Sequence, residues 1–244
     1  MSPKALIVNS NYEYEYLLKS MGYEVYKSKP YNNTYNTSIL PDMDLVLFTG
    51  GEDVHPKFYN GVHTNISHTN EDRDTNELGL FKLCLKHNIK MTGVCRGIQF
   101  LNVMCGGKMH QHINSHGGTL HEVLFPATGK IVTVSSTHHQ LVILPEDALP
   151  VAWTYPENMS NIYIGPNADK IEAPEHEIEA AVYPKYNAFG VQFHPEMLWC
   201  AKDGRAYYKE VLDAFVTMQL DEFIKLYAGV DHGKEGRYTE VAGG

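Results

Sequence analysis

Positive charge is in short supply: 20 lysines and arginines stand against 29 aspartates and glutamates, a formal net charge of −9. That balance gives no electrostatic reason to bind a phosphate backbone, so nucleic acid is not expected as a partner. Cysteine is scarce as well. Cys84, Cys95, Cys105 and Cys200, the four in 244 residues, do not make a disulfide framework. No apolar run approaches the length that spans a bilayer. The start, Met1-Ser2-Pro3-Lys4 ahead of a short apolar strand, lacks the long core of a signal peptide. A reducing cytoplasm, which also protects a reactive thiol, is the expected setting, with no membrane contact. There is no internal repeat and no interdomain linker. With 43% hydrophobic and 20% charged residues, the chain can bury a sizeable core and is not of the disordered class.

What is present is an alternation of short apolar strands and helical stripes. Lys4 to Val8, Tyr23 to Tyr26 and Asp44 to Phe48 read as strands, with a Tyr-rich helix from Asn11 to Met21 and a polar loop from Tyr31 to Ser38. Thr75 to His87 carries Leu78, Phe81 and Leu85 at helical spacing. A strand running into Cys95, then a helix through Met104 that stops at Gly106-Gly107, continues the βαβα order of a mostly parallel, helix-covered sheet. Segments 122–125, 130–134, 151–154 and 178–183 suggest an antiparallel extension before strand 189–193 closes the sheet. A long helix over about 205–227 follows, its Tyr208, Val211, Phe215 and Met218 read as core packing. Residues 1–228 are expected to form one α/β domain and 229–244 a mobile tail.

Three segments carry chemistry. Cys95 ends the apolar run Ile89 to Val94 and opens Arg96-Gly97-Ile98-Gln99. A sharp strand-to-helix turn there would lift the sulfur out of the sheet edge. The first amides of the helix, with about half a unit of positive charge, would favour thiolate. Phe189 to Phe193 runs into His194-Pro195-Glu196. Pro195 stops the strand and holds His194 extended. An imidazole fixed in this way suits proton shuttling, and a carboxylate two residues on can fold onto its far nitrogen. Asp44 to Phe48 is closed by Thr49-Gly50-Gly51-Glu52, where glycines can turn backbone amides toward an oxyanion. All three lie at predicted carboxyl ends of strands, where ligands of such sheets collect.

These residues, with Asp53-Val54-His55-Pro56, Tyr59, Arg73-Asp74-x-x-Glu77, Leu101-Asn102, Gly106-Gly107 and Ser136-x-His138-His139-Gln140, stand in one order over nearly all of residues 4–225. The sequence in this respect resembles the class I glutamine amidotransferase superfamily, in its γ-glutamyl hydrolase-like branch, peptidase family C26. One departure is Ser135, where the branch usually has Asn. The resemblance implies a three-layer α/β fold with a flavodoxin-like, mostly parallel sheet, helices on both faces and a small antiparallel extension. It implies a thioester-forming nucleophile Cys95, with His194 as acid and base and Glu196 orienting it. Backbone amides around Gly51, Glu52 and Arg96 would form the oxyanion hole. Gly50, Gln99 and His138 would bind the γ-glutamyl substrate, and neither cofactor nor metal is implied. Arg73 with its carboxylates is expected to brace the loop.

His110, His112, His116 and His121 raise the question of a metal, but their spacing and the lack of a placed cysteine favour loop histidines at the mouth. His55 is expected to cap its own turn, and Cys105, ten residues beyond Cys95, to be a core thiol. A free-standing γ-glutamyl amide hydrolase is the leading expectation. The alternative is a glutaminase subunit feeding ammonia to a separate synthetase chain. A non-catalytic binding module ranks last, because Cys95, His194 and Glu196 are all retained. The leaving amine, set by loops 56–72, 110–121 and 155–176, and the oligomeric state are not legible.

Overall fold

The structure is a computed structural model that describes residues 2–28, 37–197 and 202–230. In chain order its strands are β1 (Lys4–Val8), β2 (Glu24–Ser28), β3 (Leu45–Phe48), β4 (Lys90–Val94), β5 (Lys108–His110), β6 (His112–Ile113), β7 (Gly117–Phe125) and β8 (Lys130–Thr137). They continue with β9 (Leu141–Ile143), β10 (Leu149–Thr154), β11 (Tyr163–Ile164), β12 (Ile178–Tyr183) and β13 (Ala188–Val191). The helices are α1 (Tyr12–Ser20), α2 (Glu71–Lys86), α3 (Arg96–Met104), α4 (Lys202–Thr217) and α5 (Leu220–Tyr227).

Nine strands make one sheet in the order β2-β1-β3-β4-β13-β12-β10-β7-β8. The five from β2 to β13 pair in parallel and the rest antiparallel. Of the parallel strands, β1, β3, β4 and β13 are buried on both faces, so their residues divide by twos between two cores. Ala5, Ile7, Leu45 and Leu47 pack with α1, α4 and α5, whereas Leu6, Val8, Val46 and Phe48 pack with α2 and α3. This is the expected three-layer α/β architecture. The antiparallel extension has the four expected strands, but β7 and β8 are longer than read from the sequence and pair along most of their length.

Two helices differ from their sequence reading. In α2 Leu85 is exposed, and the buried stripe is Asp74, Glu77, Leu80, Phe81 and Cys84. Charged residues occupy apolar-looking positions because a buried arginine faces them. The long C-terminal helix is two helices. Lys90 Nζ donates to the carbonyls of Phe215 (2.6 Å), Val216 (3.0 Å) and Met218 (3.0 Å), satisfying the orphan acceptors at the end of α4. Gln219 is extended, and α5 folds back so that Phe223 packs on Phe189 and Phe215. Most of the polar loop read over 31–38, and the tail from residue 231, lie outside the described residues. Among the described residues no helix is long and apolar enough to cross a membrane.

Candidate active site

Cys95 has φ 53° and ψ −112°, a conformation non-glycine residues rarely adopt. The surrounding packing enforces it. A Cβ on Gly93 would lie 2.3 Å from the Gly97 carbonyl carbon, and one on Gly97 would lie 2.0 Å from the Phe48 carbonyl oxygen. Strands β4 and β13 pair Gly93 with Gly190, and a Cβ on Gly190 would meet Ile98 at 2.7 Å. Helix α3 therefore sinks onto the sheet, and the chain must turn abruptly at Cys95. The Cys95 N–H is spent on the Val191 carbonyl at 2.8 Å. The next amide, that of Arg96, belongs to the first turn of α3, whose N–H groups have no intrahelical acceptor. Cys95 remains 8% exposed, enough to be reached from the crevice.

His194 lies just past β13, and its Nδ1 is 2.6 Å from Glu196 Oε1. Burial alone would lower its pKa. The Cys95 sulfur on one side and Glu196 on the other overturn that and push it up to about 11. His194 is thus an imidazolium at neutral pH, held between the Cys95 sulfur and the Glu196 carboxylate. Ser135 reads differently in three dimensions from its place as a sequence departure. Its hydroxyl donates to the His194 carbonyl (3.1 Å) and accepts from the His194 N–H (3.0 Å), fixing the backbone that carries the base.

The glycine turn after β3 closes the crevice. A Cβ on Gly50 would lie 3.1 Å from His194 Cε1 and 3.7 Å from Cys95 Cβ, so this turn, the base and the nucleophile meet. Gly51 has φ 140° and packs against the Arg73 guanidinium, which would be 2.2 Å from a Cβ there. Arg73 also donates to the carbonyls of Thr49 and Gly50, both at 3.0 Å, and pairs with Glu52 (3.1 Å) and Glu77 (2.8 Å). Arg96, 1% exposed, pairs with both Asp74 and Glu77. The brace is therefore a network of two arginines and three carboxylates under both the turn and the elbow, with Arg96, Asp74 and Glu77 buried. His55 caps its own short turn by accepting from Lys57 N–H at 3.2 Å.

Several expected binding residues take other positions. The Gly50 N–H is committed to the Tyr14 hydroxyl at 3.0 Å, so Gly50 contributes room and not a donor. The Glu52 amide faces its own carboxylate, the first of the interactions that lower that group's pKa. Gln99 is buried, its Nε2 donating to Gln140 O and Gln192 Oε1 at 3.3 Å each. Gln192 Nε2 and Gln140 Oε1 are buried without partners beside it. His138, expected to touch substrate, is turned away into a buried cluster. Its ring stacks on His116 with centroids 4.7 Å apart and its Nδ1 bonds Gln140 O. Its neighbour His139 is the accessible one, pairing with Asp53 at 3.2 Å, which raises its pKa. His110, His116 and His121 are buried and are not mouth residues. Cys105 is a buried free thiol that burial pushes well above its ordinary pKa, as expected for a core residue.

Sequence reasoning passed over Tyr14. Its hydroxyl accepts from Gly50 N–H and faces Glu196; burial, then that carboxylate, hold its pKa well above the ordinary value, so it keeps its proton. The available signal was position, because α1 starts at the carboxyl end of β1, on the crevice side of the sheet.

Comparison with known proteins agrees with this geometry. Residues 6–196 match the model of the family described as Peptidase C26. A protein of Lactococcus lactis subsp. lactis, YvdE, provisionally described as glutamine amidotransferase-like, is 30% identical over 200 residues, 77% of this chain and 80% of its own. Among solved structures, a Thermoplasma acidophilum protein provisionally assigned to GMP synthase superposes with TM-score 0.58 at 18% identity, covering 88% of this chain and 93% of the other. A glutamine amidotransferase of Thermotoga maritima gives TM-score 0.56 at 15% identity, covering 88% and 83%. At those identities the two structures speak to the fold alone.

Proposed function

Because the chain belongs to the peptidase C26 family of the class I glutamine amidotransferase superfamily, we propose that it hydrolyses the γ-glutamyl amide bond of glutamine or a γ-glutamyl amine through a thioester on Cys95. The observation that carries this reading is the alignment of a strained, accessible Cys95 with a His194 charged between it and Glu196. The Cys95 thiolate attacks the amide carbonyl carbon, and the π electrons move onto oxygen. Amides at Arg96 and Gly51 receive that oxyanion; each such donor is worth about 3 kcal/mol. His194 gives its proton to the amide nitrogen, the C–N bond breaks, and the free amine leaves. The same imidazole, now neutral, takes a proton from water, whose oxygen attacks the thioester. The C–S bond breaks, glutamate leaves, and the thiolate–imidazolium pair is restored. Glu196 holds the tautomer and stabilises the charged ring throughout.

The test is mass spectrometry of wild-type and Cys95→Ala protein after exposure to glutamine and a panel of γ-glutamyl amines, with released amine measured in parallel. A glutamyl-mass adduct and turnover on the wild type alone are expected. Turnover of γ-glutamyl amines by the isolated chain supports the free-standing hydrolase over a glutaminase that needs a synthetase. An unmodified wild type that is inactive on every member of the panel refutes the reading.

A further inference from the structure

Behind the crevice, in the antiparallel half of the sheet, lies a second cluster that the hydrolysis does not use. His116 precedes β7, His121 is on β7, His138 follows β8, and Glu177 and Glu179 lie at the start of β12. Both glutamates are 0% exposed, His116 is 1% and His138 3% exposed. Donor atoms of His116, His138 and Glu179 all lie within 4.8 Å of one another.

The hydrogen bonds fix where the protons are. The Ser136 hydroxyl donates to the His116 carbonyl at 2.9 Å, so it can only accept from His116 Nδ1 at 3.0 Å. His116 therefore carries its proton on Nδ1, and its Nε2 faces Glu177 Oε2 at 3.0 Å. His138 Nδ1 is 3.1 Å from the Gln140 carbonyl, which can only accept. Its Nε2 is thus left as a lone pair, buried and without a hydrogen-bond partner, 3.5 Å from Glu179 Oε1. Glu179 Oε1 already receives the Thr154 hydroxyl and stands 3.2 Å from His121 Nε2, whereas its Oε2 is buried with no partner. Both Nε2 atoms thus face buried carboxylates, that of His116 in a hydrogen bond with Glu177 and that of His138 without one. A proton on His116 Nε2 would bond Glu177 but leave the His138 lone pair and Glu179 Oε2 buried without partners. Protonating both rings would stack two cations with centroids 4.7 Å apart.

One divalent cation meets all of these demands at once, and we propose that His116, His138 and Glu179 bind a single zinc-class transition-metal ion. Two imidazoles and a carboxylate suit such an ion. Glu177 balances the remaining charge next to His116. His121 holds Glu179 Oε1 and leaves Oε2 for the metal, as outer partners do in known sites. The ion would tie the end of β8 to β12, and both touch the segment that carries the base: Ser135 bonds His194, and Gln192 N–H donates to Glu179 O at 2.7 Å. Its role is structural, in support of that segment.

The experiment uses untagged full-length Cys95→Ala protein, so that the nucleophile cannot supply a ligand, expressed with zinc or with cobalt supplementation. Metal is quantified by mass spectrometry after gel filtration, and the cobalt protein is examined for d–d absorption. We expect one equivalent per chain and a spectrum of nitrogen and oxygen ligation without a sulfur charge-transfer band. His138→Gln and Glu179→Gln should abolish stoichiometric retention, and His121→Ala should weaken it about 10- to 100-fold. The half-buried neighbour variant His139→Gln should keep the metal. Metal-free Cys95→Ala protein from both cultures overturns the proposal, whether or not the variants fold. So does full retention in His138→Gln or Glu179→Gln. These readouts do not involve turnover, so the metal can fail while the hydrolase reading stands, and the reverse.

Discussion

Adding one methyl group at Gly97 tests whether the depth of α3 sets the chemistry. In Gly97→Ala the new Cβ would lie 2.0 Å from the Phe48 carbonyl oxygen and 2.8 Å from its carbonyl carbon. Both neighbours are backbone of β3, a central strand that cannot yield like the end of a flexible side chain. Helix α3 must then back away by roughly 1 Å before the contact becomes an ordinary one. Overpacking of this kind costs about 1–3 kcal/mol of stability. Cys95 and the Arg96 amide move with the helix, while His194 and the glycine turn after β3 do not. A misplacement of ~1 Å between reacting groups lowers rate by about a hundredfold. The assay is urea denaturation alongside kcat/KM for the best γ-glutamyl amide, with Gly79→Ala as the control. Gly79 lies in α2 with nothing within 4 Å of an added Cβ, so that variant should gain up to about 1 kcal/mol at unchanged rate. A Gly97→Ala protein with wild-type kinetics would refute the claim that close approach of helix and sheet positions the nucleophile.

Glu196→Gln should reduce kcat/KM by about 10²- to 10⁴-fold without abolishing it, because ring orientation is lost while sulfur and oxyanion donors remain; steady-state kinetics against Cys95→Ala measures the residue. His194, raised from 6.5 to about 11, contributes stability that is fully present below about pH 6.5 and is lost as pH climbs through about 11. The urea midpoint should therefore fall on the alkaline side, and in Cys95→Ala the fall should begin at lower pH because one source of the shift is gone. Arg96→Met leaves Asp74 and Glu77 buried with one cation fewer and should cost about 3–5 kcal/mol in denaturation. Its folded fraction should lose less activity than Gly97→Ala, since the amide at position 96 survives the change.

Much of the fold was legible because its strands are short apolar runs and its breaks are glycines. Cys95, His194 and the Gly50-Gly51 turn each fall at a strand end in the sequence pattern, and the parallel order of β3, β4 and β13 brings those ends together. Periodicity misled in α2, where Leu85 looks like core and the apolar stripe leaves out Asp74 and Glu77. Only the arginine arriving from α3 reverses that assignment, and it lies 19 residues away from Glu77 and 22 from Asp74. The division of the last helix was hidden for the same reason, since the lysine that terminates α4 sits on β4. His138 and His139 are indistinguishable as letters; the bend after β8 decides that one turns inward and the other outward.

The paired glycines of β4 and β13 form a socket in the middle of the sheet, two side chains wide, and α3 is the plug. A tightly seated plug cannot be re-aimed by small steps, since any larger residue in the socket pushes the reactive end out of line. The rims are under no such constraint: the segments 56–72 and 155–176 do not contribute to this seat. Diversification among chains built this way should therefore run through the rims, altering which amine departs while the machinery that severs it stays as it is.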